Sequence, residues 1–336
     1  MLEFRNVVKA TGAAAVIALW SVMPVFAQDQ ITIKFSHVVA PDTPKGKGAE
    51  KFKELAEQYT DGRVKVEIYP NSQLYKDKEE LEALQMGAVQ MLAPSLAKFG
   101  PLGVPEFELF DLPMLFKDRA DLVKITEGEV GKSLMAKLDD KGIKGLAYWD
   151  NGFKVMTANS PVVSPDDFLG LKMRIQSSKI LEAQFQALGA VPQVMAFSEV
   201  YQALQTGVVD GTENTPSNTY TQRVNEVQKY ANVSNHGYIG YAVIVNKPFW
   251  DGLPEDVRTN LDKAMAEASV YANEIAAEEN AKALQAIRDA GTTEIHDMTD
   301  DERAEWFEVL RPVHEEMSSR IGADLIQQTY TALGIE

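Results

Sequence analysis

From Ile31 onward, apolar and polar residues alternate in short runs that give way repeatedly to helical spacing. Ile31, Ile33 and Phe35 stand out of phase with Thr32, Lys34 and Ser36, the period of a half-buried strand. Thr43-Pro44 then supplies an N-cap and a first-turn proline. Ala49, Phe52, Leu55, Ala56 and Tyr59 recur at helical spacing until Asp61-Gly62 stops the helix. Val64, Val66 and Ile68 form the next alternating strand, ended by Tyr69-Pro70-Asn71. A short helix over 78–86 and a strand over 89–94 follow. This β-α-β-α-β order predicts an open, largely parallel sheet with helices on its faces.

The pattern changes near Asp150-Asn151-Gly152. Beyond it, segments 154–157, 172–175, 192–195 and 208–212 predict a second set of strands with helices of their own, one of them capped by Ser198. Tyr241 to Asn246 reads as a buried strand. Pro254 to Ala290 holds helical spacing through Val257, Leu261, Ala264, Met265, Ala268, Ala272 and Ile275, with Gly291 as the stop. Such a helix reaches roughly 55 Å at about 1.5 Å per residue, longer than one domain is wide. It therefore has the length to bridge two. Alanine at most of its apolar positions disfavours a coiled coil. Thr299-Asp300-Asp301-Glu302 is a capping box for a further helix.

Composition narrows the setting. Arg5 and Lys9 precede the uncharged apolar run Ala13–Met23, and Val25-Phe26-Ala27 has the small-x-small form of a cleavage site. The run is too short to span a bilayer, which takes about 20 residues. Residues 1–27 are thus expected to be a cleaved export signal, leaving a chain long enough for two domains. No second apolar run is long enough for a span. Cysteine is absent, which excludes thiolate metal sites and cysteine nucleophiles. The formal net charge of −16 argues against nucleic acid and anionic membranes as partners. It also means that a site for an organic anion must gather its positive charge locally.

Common catalytic signatures are missing. There is no Walker loop, dinucleotide glycine fingerprint or nucleophile elbow. His37, His236, His296 and His314 have no metal-ligand spacing, and His314-Glu315-Glu316 lacks the second histidine of a zincin. No metal, cofactor or catalytic residue is assigned. Candidate anion-binding groups do exist. Arg174 ends a predicted strand, and a guanidinium fork grips a carboxylate with two parallel hydrogen bonds. Lys45 and Lys47 flank Gly46 at the amino end of the first helix, where free N–H groups attract anions. His37 closes the first strand at the carboxyl edge, where open sheets bind ligands.

Three stretches carry a resemblance. They are Gly170-Leu171-Lys172-Met173-Arg174-Ile175, then Met195 to Gly207 (Met-Ala-Phe-Ser-Glu-Val-Tyr-Gln-Ala-Leu-Gln-Thr-Gly), then Val209-Asp210-Gly211-Thr212-Glu213-Asn214. Their order is similar to that of the solute-binding proteins of TRAP (tripartite ATP-independent periplasmic) transporters. Phe35 to Pro41, Tyr69 to Leu74, Phe110-Asp111-Leu112-Pro113, Asn235-His236-Gly237-Tyr238 and Phe249-Trp250 extend the likeness over nearly all of 31–320.

The resemblance implies a fold: a two-domain, clamp-like (type II-like) α/β periplasmic binding protein. Each domain is an open mixed sheet flanked by helices, and a long helix, 254–290, bridges both. It divides the chain into 28–151 plus 240–275, and 152–239 plus 276–336, with the Tyr241 strand returning to the first sheet. It implies a site in which Arg174 clamps a carboxylate and Asn214 and Phe197 contact the same ligand. Lys154, just after the first crossing, stands where a second basic contact is expected, and Tyr238 and Tyr241 lie near the other crossing. Lys45 and His37 complete the expected set from the first domain.

Within the family the likeness is strongest to dicarboxylate receptors, whose ligands are succinate, malate and fumarate. Lys154 in place of an arginine, and Val38 in place of an asparagine, separate it from the sialic-acid branch. The implied partners are the small and large integral membrane subunits, with the receptor itself a periplasmic monomer. The readings kept beside this one are a receptor for a different organic acid, a receptor for an ATP-linked transporter, and a periplasmic enzyme using Arg174 for substrate and His37 or a carboxylate as base.

Overall fold

The computed structural model describes residues 30–335, together with Met1. The export signal assigned to residues 1–27, Met1 apart, lies outside the described residues. Among the described residues no helix is long and apolar enough to cross a membrane.

The chain opens with β1 (Ile31–Ser36), β2 (Val64–Tyr69), β3 (Met91–Leu92) and β4 (Ile143–Phe153). It continues with β5 (Val155–Ala158), β6 (Lys172–Ile175), β7 (Val191–Val194), β8 (Gly211–Asn214) and β9 (Tyr230–Val233), then β10 (Tyr238–Asn246) and β11 (Glu294–Asp297). These strands form two sheets, ordered β2-β1-β3-β10-β4 and β11-β9-β5-β8-β6-β7. In the first, β1 is parallel to β2 and β3, while β10 is antiparallel to β3 and β4. The sheet is therefore mixed, and not largely parallel as the β-α-β-α-β order alone predicts. The cause is β10, which arrives from the other sheet and so enters in the opposite sense. Every residue of β10 is buried, so no alternation marks where it starts. The strand begins at Tyr238, ahead of the Tyr241 expected from the sequence.

Only Lys154 separates β4 of the first sheet from β5 of the second. The return crossing is the segment 234–237 between β9 and β10. The two crossings are tied to each other, Lys154 N–H donating to Gly237 C=O at 2.9 Å and Asn235 N–H to Lys154 C=O at 3.1 Å. A third connection is the helix Glu255–Ala290, 36 residues ended by Gly291 at φ 65°, a left-handed cap that suits glycine.

The alanines of that helix have a packing reason. Ala264, Ala268 and Ala272 are buried in one cluster with Phe52 and Trp149. A Cβ on Gly48 of the first helix, Pro44–Tyr59, would stand 2.9 Å from Ala272 Cβ. Gly46 is likewise crowded, by the Pro41 and Ala40 carbonyls, and its N–H is capped by Thr43 Oγ1. These two glycines serve close packing, and the first turn of the helix is regular. Toward the far end of the long helix, Asn280 Oδ1 accepts from Ser217 N–H at 3.0 Å and Asn280 Nδ2 donates to Asn151 C=O. One side chain thereby links the long helix to both sheets' connections.

The C-terminal segment departs from the division expected from the sequence, which assigns all of 276–336 to the second unit. β11 does join the second sheet, and Trp306 and Leu310 enter its core with Phe168 and Phe185. Val313, Ile321, Ile326 and Leu333 instead pack into the first-sheet core with Phe107, Leu122 and Leu134. An amphipathic helix declares a buried face but not which core buries it.

Candidate functional site

A small cavity lies between the two sheets. Its walls come from both sides. Lys45 reaches in from the first helix, and Tyr241 from β10. Arg174 and Asn214 come from the carboxyl ends of the parallel strands β6 and β8. Phe197 and Asn218 complete the second-sheet side.

Arg174 is buried, and burial lowers its pKa while Asp77 and Glu213 oppose the shift. Its Nε and Nη2 both donate to Met195 C=O, at 3.1 and 2.9 Å. Strand register sets this contact up: β7 runs parallel beside β6 and carries the chain past Val194 to Met195 next to the guanidinium. One edge of the fork is thus occupied by protein. The end-on pair of Nη1 and the remaining Nη2 hydrogen is the edge left for a carboxylate. Arg174 Cζ also lies 5.9 Å from the Phe197 ring centroid.

Asn214 is the last residue of β8, so the strand runs past the end at 212 expected from the sequence. Its Oδ1 accepts from Thr215 N–H and Asn218 Nδ2, both at 2.9 Å. That engagement orients the amide and leaves Nδ2 as the donor a ligand oxygen can use. The helix Val200–Gln205 is not capped by Ser198, contrary to the sequence expectation. A turn of 3₁₀ helix, Phe197–Glu199, leads into it, and no side chain of its own caps that turn. The carboxylate of Asp77, from the opposite side of the cavity, accepts the Phe197 N–H at 3.1 Å.

Lys45 is buried with Nζ 2.9 Å from Ala93 C=O and 3.8 Å from the Tyr241 ring centroid. Burial, and next the charge of Lys98, lower its pKa to about 7 against the opposing charges of Glu80 and Asp77. Lys47 points elsewhere and pairs with Glu279 on the long helix. Lys98 and Asp77, both in the cavity wall, are absent from the sequence-based set. Lys98 Nζ meets Glu80 Oε1 at 2.8 Å and Asp77 Oδ2 at 3.6 Å. A lone lysine inside the apolar run Met91–Phe99 is the signal that could have found the first of them.

Three of the expected residues do not line the cavity. His37 is buried near Lys45, both ring nitrogens lacking a partner among the described residues. Burial, then the Lys45 charge, lower its pKa to about 3, so it adds no positive charge at neutral pH. Tyr238 is buried and packs against Phe116 and Phe153. Lys154 is fully buried at the first crossing, with Nζ 2.6 Å from Glu213 Oε1. It is a lysine with a protein counter-ion, held away from any ligand in the cavity.

Glu213 is the centre of a sealed network. Its Oε2 accepts from Gln184 Nε2 at 3.0 Å and pairs with His236 Nε2 at 2.8 Å. His236 Nδ1 lies 2.6 Å from Ser234 Oγ. The carboxylate calls for Nε2–H on the ring, so Nδ1 accepts from the serine. Burial lowers the His236 pKa. Serine, histidine and carboxylate thus stand at the spacing of a hydrolytic triad, yet all three are at most 2 % exposed and none lines the cavity. Among the described residues no cluster of potential metal ligands is found.

A sequence profile of bacterial extracellular solute-binding proteins, family 7 (DctP), matches residues 35–320. The chain belongs to this family. It is 72 % identical over 322 residues to the C4-dicarboxylate-binding periplasmic protein DctP of Rhodobacter capsulatus, covering 96 % of each chain. It is also similar to a TRAP periplasmic solute-binding protein from Shewanella oneidensis with bound succinate. That pair shares 43 % identity with a TM-score of 0.88, over 90 % of this chain and 99 % of the other. A TRAP protein from Pseudomonas aeruginosa PAO1 with bound L-malate gives 42 % and 0.83, over 85 % and 99 %. The expected fold class, two mixed sheets flanked by helices with one long helix, is that of these TRAP solute-binding proteins.

Proposed function

We propose that this chain is the receptor of a TRAP transporter, and that it holds a C4-dicarboxylate such as succinate, malate or fumarate in the cavity between the sheets. The carrying observation is the pair of buried cations, Arg174 and Lys45, facing one small cavity from opposite sheets. An unpaired buried charge is costly, and in a chain of net charge −16 only a local arrangement attracts an anion. Two cations on opposite walls suit a short acid with a carboxylate at each end. The relatives bound to succinate and L-malate support the same reading. A periplasmic, monomeric receptor delivering its ligand to small and large membrane subunits fits the family's character. The enzyme reading has less support, because the one triad-like set is sealed from the cavity.

Titration calorimetry tests the proposal. Succinate and fumarate should bind stoichiometrically and be returned unchanged. Butyrate, which leaves one cation unpaired, should bind more weakly by about 1–3 kcal/mol, roughly 5- to 150-fold. Equal affinities for butyrate and succinate would reject a two-carboxylate site.

Lys45 adds a pH signature. Its free-state pKa is about 7, and a carboxylate beside it raises that value. Succinate affinity should be level between about pH 6 and 7, where the ligand is a dianion, and fall above that, approaching tenfold per pH unit as binding comes to require a proton. Calorimetry at pH 8 in buffers of differing ionisation enthalpy should register proton uptake. Proton release, or none, would remove Lys45 from the site.

Closure follows from the same geometry. An anion is stabilised fully only when Lys45 and Arg174 stand on either side of it, so ligand biases a hinge through the crossings at Lys154 and 234–237.

A further inference from the structure

The cavity that holds three cations also holds an anion. Asp77 lines the wall together with Lys98, Lys45 and Arg174. Its side chain is 8 % exposed, so water screens it little. One oxygen faces Lys98 Nζ at 3.6 Å and the other accepts the Phe197 N–H at 3.1 Å. Burial alone would push its pKa up, but Lys98, Arg174 and the Phe197 N–H outweigh that and hold it below the ordinary carboxylate value. Asp77 is therefore ionised in the ligand-free protein at neutral pH.

Its position is unusual for a site built to bind anions. Lys98 already has a close partner in Glu80, at 2.8 Å. A second carboxylate on the cavity side is superfluous for pairing Lys98, and it stands where it repels a ligand carboxylate approaching Arg174. Counting Arg174, Lys45 and Lys98 against Asp77 and Glu80, the local charge is one positive. A dianion overfills it by one; without the Asp77 charge a dianion would balance it.

We propose that Asp77 is a specificity-determining residue, a resident counter-anion that competes with the ligand for Arg174 and Lys98 and so limits how strongly the cavity prefers a dianion over a monoanion of the same shape. This rests on the cavity being the dicarboxylate site proposed above. The device has a use in a receptor that must also release its cargo: it keeps the cavity cationic enough to capture a C4-acid without making the doubly charged form too tightly held.

Asp77 has a second contact role that the test must separate. Asp77 and Lys76 sit on one loop, and Lys76 Nζ pairs with Glu199 Oε1 at 2.7 Å across the same gap. Asp77→Asn removes the charge and keeps an oxygen for the Phe197 N–H, so it changes electrostatics and leaves the contact. Lys76→Ala loosens the contact and leaves the cavity charge alone. The probes are fumarate and its monoamide, fumaramate, which share a shape and differ by one charge. The measurement is made at pH 6, where Lys45 is protonated in the free protein.

The ratio of fumaramate to fumarate dissociation constants should rise at least about tenfold in Asp77→Asn, through tighter fumarate, since one unit charge is removed from a poorly screened site. Lys76→Ala should leave the ratio at the wild-type value. A ratio unchanged within about twofold in Asp77→Asn, or a loss of affinity shared equally by both ligands, would overturn the proposal and leave Asp77 as a contact residue. If Asp77→Asn does not fold, Asp77→Ser makes the same charge change and carries the same expectation. Wild-type protein that fails to bind fumarate would instead refute the dicarboxylate reading, so the two failures are distinct.

Discussion

Arg174→Lys is expected to weaken succinate binding by about 2–4 kcal/mol, roughly 30- to 1,000-fold. The charge survives in this variant, so the loss measures geometry. Arginine serves two acceptors at once: Nε and Nη2 engage Met195 C=O, and the other edge of the plane remains for a ligand. A lysine ammonium is a single point on a shorter stem. It can stay with the Met195 carbonyl or move toward the ligand, but it cannot present two parallel donors while also doing the former. Phe197 loses a partner as well, since the guanidinium lies near its ring and an ammonium does not stack. Calorimetric titration of the variant with succinate gives the answer, and an affinity within about threefold of wild type would remove Arg174 from the role of clamp.

The strand Lys172–Ile175 is legible residue by residue, because a Gly-Leu turn precedes it and alternating residues fill it. The long helix is legible too, with its ends marked by Pro254 and Gly291. Lys45, Arg174, Asn214, Phe197 and Tyr241, named from the sequence, come together around one cavity. The errors share a cause, which is that sequence shows a residue's type but not its partner. Lys154 reads as a free cation after a crossing, and only the fold reveals Glu213 beside it. Lys98 and Asp77 belong to no motif in the sequence, and only the fold sets them face to face. The final helices show the same limit on a larger scale. Their apolar stripes are plain in the sequence, but Leu310 and Ile321, a few turns apart, enter different cores.

Glu213→Ala is expected to destabilise the ligand-free protein by about 3–5 kcal/mol, the usual cost of removing one partner from a buried ion pair. The variant strands the Lys154 ammonium, which is fully buried, and leaves Gln184 Nε2 and His236 Nε2 without their acceptor. It also frees both crossings from β8, because Lys154 belongs to one and His236 to the other. The double variant Lys154→Met with Glu213→Leu should be more stable than Glu213→Ala, since it removes the stranded charge as well as its partner. If the double variant were no better, the cost would lie in His236 and Gln184 and not in the ion pair.

The pH dependence gives a second reading of the same carboxylate. Burial would raise the Glu213 pKa, but the Lys154 charge and the His236 bond outweigh it and hold the value far below the ordinary one. A depressed carboxylate contributes stability that is complete above the unfolded value of about 4.3 and declines as pH falls through the folded one. His236, lowered by burial, resists protonation in the folded state, so its effect has the same sign and begins below about pH 6.5. Asp111, raised to about 7 chiefly by burial, acts in the opposite sense over the intervening range. Removing Glu213 takes away the acid-labile share and the bond that favours the charged form of His236. The urea midpoint of Glu213→Ala should therefore lie below wild type at pH 7, with the gap narrowing as pH is lowered from about 4 toward about 2. A gap that stayed constant over that interval would mean that the ionised carboxylate of Glu213 is not what holds the crossings together.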